Sequence, residues 1–518
     1  MSNYTSKKLA FNNAEQFKES FFEPEPATLG YIFLGNHVAW PNEDAPTTAV
    51  DTVSNEKSIW DNMFAGKKIT GNDVELVIPR VDWVANKKYR EYDDTIDLTE
   101  LITSNTAQNL GPVYVMNSDR NVYLCLSNNT TTANSTVEPT GKNFNANGII
   151  QTADSYVWKY LYNIRPSNRF FSNNWIPVPT STAKLDYDTS SLISVDGEIT
   201  NIVVVSGGSG YIHSTIAITV PFAAGCTTLS VANVTNLNAN MAISGTGIAS
   251  GTHIESVDDV NTTIQLSSST TNSGGGLGNN AFVQSRVYIS GDGIGGVAST
   301  VLSNTTISDV SVSSYGKDYS VANVYIYGTG TGAQVRAVLP PKFGHGYNPA
   351  KQLGASNVMV AMRIGEVDST EGGIISTDTT FRQYGLLRDP YKYGETVSAN
   401  TSTANSVFSQ TTNLTVISGT SFNLNEFVYQ GPSSTSSTFS GYVHASSANQ
   451  IRLTKVKGSI SVGNPLKGTE TNPSGRTVVT YSNPEFEPNT GDILYEENIV
   501  SVQRTDGQAE SLKFVIRF

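Results

Sequence analysis

ITNIVVVSGGSGYIHSTIAI, residues 199–218, returns later in the same chain as ISDVSVSSYGKDYSVANVYI, residues 307–326. At a constant offset of 108, Ile199, Ile202, Val204, Gly208, Tyr211, Ile216 and Ile218 recur as Ile307, Val310, Val312, Gly316, Tyr319, Val324 and Ile326. Seven matches at one offset mark an internal duplication. Each copy is a short β-branched alternation broken by glycine, the pattern of strands joined by tight turns. A second echo pairs VYISGDGIGGVASTVL (287–302) with VYIYGTGTGAQVRAVL (324–339). The units therefore read as near 199–302 and 307–339, the first interrupted at roughly 221–283 by a small β module of its own. Such a module is cheap to insert, because closure entropy grows slowly with loop length.

Outward from the repeat, composition divides the chain. All five tryptophans, Trp40, Trp60, Trp83, Trp158 and Trp175, lie in the first 175 of 518 residues. The N-terminal part mixes elements: Asn13 is positioned to cap a short helix carrying Phe17 and Phe21, and Ile59, Trp60, Met63 and Phe64 form an apolar face closed by Gly66. Strands are expected in GYIFLGNHVAW (30–40), DVELVIPRVDWV (73–84) and VYVMNSDRNVYLCL (113–126), the last with a turn at Asn117–Asn121. Residues 398–484 are again rich in Ser, Thr, Asn and Gly, with short strands such as FVYQG and QIRLTKV. The terminal SLKFVIRF alternates to Phe518 and reads as a strand inside a sheet. The expected organisation is a domain over 1–189, a β-repeat region over 190–356, a core segment over 357–397, a second β insertion over 398–484, and C-terminal strands over 485–518. The fold class is mainly β with a few short helices (α+β), arranged as stacked β-sandwich-like domains with two inserted all-β modules.

Composition narrows the function. Charged residues are 15% of the chain, and 33 Lys and Arg stand against 45 Asp and Glu, a net charge of −12. With no basic block to neutralise phosphates, a nucleic-acid partner is excluded. Cys125 and Cys226 lack Cys or His neighbours at metal-ligand spacing, so neither a disulfide scaffold nor a zinc site is expected. The N-terminus lacks a signal-peptide core and no stretch approaches a membrane span, so a soluble chain made in the cytoplasm is expected.

The candidate chemistry is sparse. His37, His213, His253, His345 and His444 are scattered, and none has a ligand partner at helical spacing. GTGTGA (328–333) lies in the β repeat and reads as a turn, not a dinucleotide loop. Asp93 with Asp94 and Glu496 with Glu497 are adjacent pairs that point to opposite strand faces, and read as surface acids. No G-x-S-x-G elbow is present. The chain is read as no enzyme, with no cofactor, metal or small-molecule substrate. The densest constellation is VIPRVDW (77–83): on an extended strand Arg80 and Asp82 share one face, Val81 and Trp83 the other, with Pro79 at the ladder's edge. The charged couple is either an intradomain pair or a contact with another subunit. In YVWKYL, Tyr156, Trp158 and Tyr160 share one strand face, as core packing.

Four motifs occur in series: VIPRVDW; SYVWKYLYNI (155–164) before WIPVP (175–179); TFRQYGLLRDP (380–390), which contains Arg382; and the ending GDILYEEN to FVIRF. In that order they resemble the baseplate wedge protein family, gene product eight, of T-even-type contractile-tailed bacteriophages. The resemblance takes in the helix with Trp60 and Met63 and covers most of 1–185, 357–395 and 485–518, while the two Gly/Ser/Thr-rich regions have no counterpart. It implies a β-rich structural protein of the virion tail baseplate, made in the host cytoplasm, that forms a homodimer, contacts other wedge subunits and rearranges as a body on tail contraction. Arg80, Asp82, Trp83, Tyr156, Trp158 and Arg382 are then residues of the core or of a subunit interface. A competing reading from the repeats and from 24 tyrosines is a carbohydrate-binding fibre or adhesin.

Overall fold

The computed structural model describes residues 6–22, 29–128, 134–180, 187–189, 194–274, 279–364, 379–398, 407–504 and 509–518. Among them strands dominate and the α-helices are few and short. The chain divides into two compact units, Met1–Phe11 with Val77–Ala355, and Asn12–Leu76 with Ser356–Phe518.

In the first unit an antiparallel sheet runs through Tyr187–Thr189, Val157–Ile164, Asn121–Ser127 and Tyr114–Met116, with Ile149–Gln151 also paired to Val157–Ile164. The expected hairpin turn is built by Asn117, whose Oδ1 accepts the amides of Asp119 at 3.0 Å and Asn121 at 2.9 Å. That Asx geometry leaves Arg120 at φ 61°. Register sets Tyr123 against Tyr160 and Cys125 against Trp158, so the alternating aromatics meet in one core with Tyr89, Val115 and Tyr156. The opposite face is buried as well, with Val122, Leu124, Lys159 and Leu161 all inaccessible, which explains why this sheet shows no polar side in sequence.

The duplicated segments fold around one another. The opening strand of the first copy, Asn201–Ser209, pairs with the closing strand of the second, Thr331–Val338. Conversely Thr306–Lys317, which opens the second copy, pairs with Ile294–Ser303, which closes the first. The middle strands Arg286–Gly291 and Ala322–Tyr327 pair with each other, Tyr288 opposite Tyr325. Cross-links between the copies are reciprocal: Tyr211 N donates to Thr305 O at 2.9 Å, and Tyr319 N to Gly197 O at 3.2 Å. Each residue in the second bond is the 108-offset equivalent of its counterpart in the first, with donor and acceptor copies exchanged. The ladders break at the same place, between Val204 and Ser206 and between Val312 and Ser314. Gly208 and Gly316 adopt φ of 60° and 62°; a Cβ there would strike Thr331 or Gly296 backbone. Ile199, Ile202, Tyr211, Ile307, Val310 and Tyr319 share a single core. The copies are thus an internal strand-exchanged pair about a pseudo-two-fold, because neither copy has enough apolar surface to close alone.

The last two matched positions of the first copy behave differently. Ile216 and Ile218 lie in a separate core with Leu229, Ile243, Ile264 and Val283. That core is held between two three-stranded sheets, one of Ser214–Ala217, Asn280–Gln284 and Ala242–Gly245, the other of Thr228–Ser230, Thr263–Leu266 and Ile254–Asp258.

The second unit contains a five-stranded sheet in the order Val407–Ser409, Met63–Lys68, Gly30–Gly35, Thr380–Arg388, Asp492–Gln503. Its core joins Tyr31, Phe33, Ile59, Trp60, Leu387, Phe408 and Phe486. Asn357–Ile364 pairs antiparallel with Glu510–Arg517, so the terminal alternation does end in a sheet. Six strands, Thr412–Val416, Gln450–Gly458, Phe439–Ser446, Phe427–Gln430, Pro465–Gly468 and Arg476–Ser482, close a barrel around Leu414, Val428, Val443, Leu453 and Val478.

Two helix expectations are corrected. The first helix runs Lys7–Glu19, so Asn13 is interior and does not cap it; buried Phe11 and Ala14, three residues apart, set its packed face. The second is Val53–Asn62, capped by Thr52 Oγ1 accepting from Asn55 N at 3.2 Å. Met63 already begins a strand that includes Gly66, where a Cβ would collide with the Phe408 ring. Gly66 is a packing glycine and not a helix stop.

Candidate interface residues and buried polar joints

The VIPRVDW motif leaves its strand at Pro79. Val77–Pro79 pairs with Trp175–Pro177, which brings two of the family-like motifs together. Beyond it, Arg80 Nε grips both Asp82 carboxylate oxygens at 2.9 and 3.0 Å. The guanidinium also lies 4.9 Å from the Phe171 ring centre, alongside Arg120 at 4.7 Å. Trp83 is half-buried, packs on the aromatic core and donates Nε1–H to Ser135 Oγ at 3.0 Å. Tyr156 and Trp158 are fully buried and stack at 5.6 Å with an 18° interplanar angle. In the second unit Arg382 Nε donates to Glu43 at 2.9 and 3.1 Å, and Nη1 to His37 O at 2.8 Å. The structure therefore gives every charged motif residue a partner in its own chain. It does not gather the six into one site.

The paired carboxylates are likewise engaged. Asp93 and Asp94 clasp Arg336, at 2.7 Å to Nη2 and 2.5 Å to Nη1. Burial works against the Asp93 charge, but the Thr95 hydroxyl and amide and the Arg336 guanidinium hold its carboxyl below the usual range. Glu496 accepts Asn55 Nδ2–H at 2.8 and 2.7 Å. Glu497 accepts the hydroxyls of Tyr495, at 2.6 Å, and of Tyr384. Fixed in this way, neither pair is arranged as a free acid and base across a cleft.

Sequence reading missed the most costly feature. Lys159, between Trp158 and Tyr160, and Glu198, just before the repeat, are both inaccessible and paired at 2.7 Å. Burial, the dominant influence on each, lowers the lysine and raises the glutamate, while their mutual attraction opposes both shifts. Glu198 Oε2 has no hydrogen-bond partner among the described residues. Nearby, buried His345 sits at 2.6 Å from Gln352 Nε2 and 3.1 Å from Thr200 Oγ1. Because the amide nitrogen can only donate to Nδ1, the imidazole proton belongs on Nε2 and is given to Thr200. Burial first, and then Lys159, keep this ring neutral. A signal was present: a lysine inside VWKYLY and a glutamate beside an apolar run demand each other if both faces are covered.

A second unforeseen joint pairs His37 with His444, ring centres 5.0 Å apart at 86°. His444, on a barrel strand, stacks on Phe64 of the five-stranded sheet at 4.3 Å. Burial, then Lys455 and Arg382, bring His37 down to about 4. Burial, then His37 and Arg452, bring His444 to about 3. Both cysteines are free. Among the described residues no group of three or more His, Cys, Asp or Glu is placed to hold a metal, and no helix is long and apolar enough to cross a membrane.

Comparison with known proteins supplies what the geometry cannot. Residues 113–240 match the model of the family described as Bacteriophage T4, Gp8. That span contains the hairpin, the YVWKYL strand and Glu198, and it runs past 189 into the first repeat copy. The chain is also 26% identical, over 189 aligned residues, to the baseplate wedge protein gp8 of Enterobacteria phage T4. The alignment covers 30% of this chain and 54% of that protein, so it spans about half of the relative.

Proposed function

From kinship with the gp8 family of baseplate wedge proteins, we propose that this chain is a structural subunit of a phage tail baseplate, acting by protein–protein contact and without turnover. The family match carries the reading. The stereochemistry supports it: the motif charges are locked in intrachain pairs, and the aromatic core beneath them is closed on both faces. That is the economy of a stiff scaffold, whose surface is mostly uncharged polar and can be buried without desolvating many ions.

In the same proposal the chain is a homodimer, contacts neighbouring wedge subunits, is carried in the virion at the base of a contractile tail after synthesis in the host cytoplasm, and moves as a body on contraction. Residues 1–189, 357–397 and 485–518 belong to the family framework, which the match extends to residue 240, so that of 190–356 only the part beyond 240 is an addition to it, together with 398–484. The boundary near 190 is the one to probe, because the matched span crosses it. The test is a phage carrying a nonsense mutation in this gene. Lysates should contain heads and tail parts without complete baseplates; normal, infectious particles lacking the chain would refute the reading. Size-exclusion chromatography with light scattering should give twice the chain mass, and a monomer would remove the dimer.

A further inference from the structure

The strand-exchanged repeat presents a face that the scaffold role does not use. On the middle strands, Val287, Ile289, Val324 and Ile326 turn inward to the shared core, so alternation sends their neighbours outward. Register then stacks three outward rows: Arg286 opposite Tyr327, Tyr288 opposite Tyr325, and Ser290 opposite Asn323. Tyr288 and Tyr325 are 40% and 49% exposed. Their ring centres are 6.4 Å apart at an interplanar angle of 31°, and Tyr327 lies 6.1 Å from Tyr288. The Arg286 guanidinium, 5.2 Å from the Tyr288 ring centre, steadies that ring. Val297, on the adjacent strand, is 54% exposed and extends the apolar strip.

We propose that this face binds a polysaccharide strand, with sugar rings stacked on Tyr288 and Tyr325. A pyranose offers an apolar C–H face and a hydroxyl rim. The site offers the complement: flat aromatic surface at its centre, with a hydroxyl and an amide at one end and a guanidinium at the other. The other occupants fit less well. A chain of net charge −12 with one cation on this face repels single-stranded nucleic acid. A second copy of the chain needs roughly 800 Å² per partner with an apolar centre and polar rim, whereas this strip is polar at both ends of its short rows. The pseudo-two-fold sets two equivalent tyrosines side by side, so that neighbouring sugar rings can each meet an aromatic face.

The full-length protein is applied to an array of bacterial capsular and O-antigen polysaccharides, beside the double variant Tyr288→Ala/Tyr325→Ala and the ring-keeping Tyr288→Phe/Tyr325→Phe. The expected result is retention by at least one polysaccharide, weakened about tenfold or more in the alanine variant and largely kept in the phenylalanine variant, with unchanged thermal unfolding. No retained polysaccharide, or equal retention by wild type and the alanine variant, overturns the proposal. So does concentration-dependent self-association that the alanine variant abolishes, since the face would then belong to a second copy.

Discussion

Replacing Lys159 by Met removes the cation from a pair that is wholly inaccessible and leaves the Glu198 carboxylate buried without its cation, one oxygen already unpartnered among the described residues. An uncompensated charge in such a place costs roughly 3–5 kcal/mol, even after the glutamate relieves itself by taking a proton. Replacing both partners, Lys159→Met with Glu198→Leu, removes the charge along with its desolvation cost. Such exchanges for apolar groups of similar volume are often neutral or stabilising by about 1–4 kcal/mol. The double variant should therefore be more stable than either single one, with a coupling of several kcal/mol. Urea unfolding followed by tryptophan fluorescence is the assay, because Trp158 flanks the lysine and reports the transition of the first unit. A single variant within about 1 kcal/mol of wild type, or a double variant as unstable as the sum of the singles, would refute the reasoning.

Four further expectations follow from the same geometry. Trp158→Ala, which empties a fully buried indole site, should cost about 3–5 kcal/mol and prevent soluble expression or assembly; a well-folded variant near wild-type stability sinks this. Arg80→Ala should cost only about 1 kcal/mol, since its partner Asp82 is half exposed, while Trp83→Ala, which loses core packing, should cost about 2–3 kcal/mol; the opposite order by chemical denaturation would contradict the assignment. Gly208→Ala and Gly316→Ala, equivalent about the pseudo-two-fold, should each cost about 1–3 kcal/mol, and a neutral result at either position would break the equivalence. For the histidine joint, native pKa values near 4 and 3 lie below the ordinary 6.5. Between about pH 6.5 and 4 the unfolded chain binds protons the native one refuses. Stability from this pair is thus fully present above about pH 6.5 and lost as pH falls through the window, by about 3 kcal/mol for His37 alone. The two rings titrate as a coupled unit, so His444→Phe should flatten the profile, and identical acid sensitivity in the variant would exclude the mechanism.

Much of the fold was legible where the signal was local. The Asn117–Asn121 turn, the alternation of YVWKYL and SLKFVIRF, and the duplication at offset 108 all correspond to observed strands, because period-two burial and turn chemistry act within a few residues. Of GTGTGA, Gly328–Gly330 turn the chain between the strands Ala322–Tyr327 and Thr331–Val338, while residues 331–333 already belong to the second strand. What escaped was decided by distant contacts. Gly66 looked like a helix stop, yet its role is set by Phe408, far along the chain. Asn13 looked like a cap, yet burial of Phe11 and Ala14 carries the helix through it. VIPRVDW leaves its regular strand at Pro79, yet its two faces are as expected: Arg80 pairs with Asp82, while Val81 and Trp83 pack on the aromatic core. Lys159 and Glu198 were each legible as charges in apolar surroundings, but only the fold shows that they meet. The exchange of strands between the repeats was invisible too, since a repeat states that two segments are alike and not which partner each one takes.

The central claim is a position in a particle, and immunogold labelling of purified phage with antibody to this chain tests it most directly. Label confined to the base of a contractile tail is the predicted result. Label along fibres, or none on intact and disrupted particles, would contradict the account.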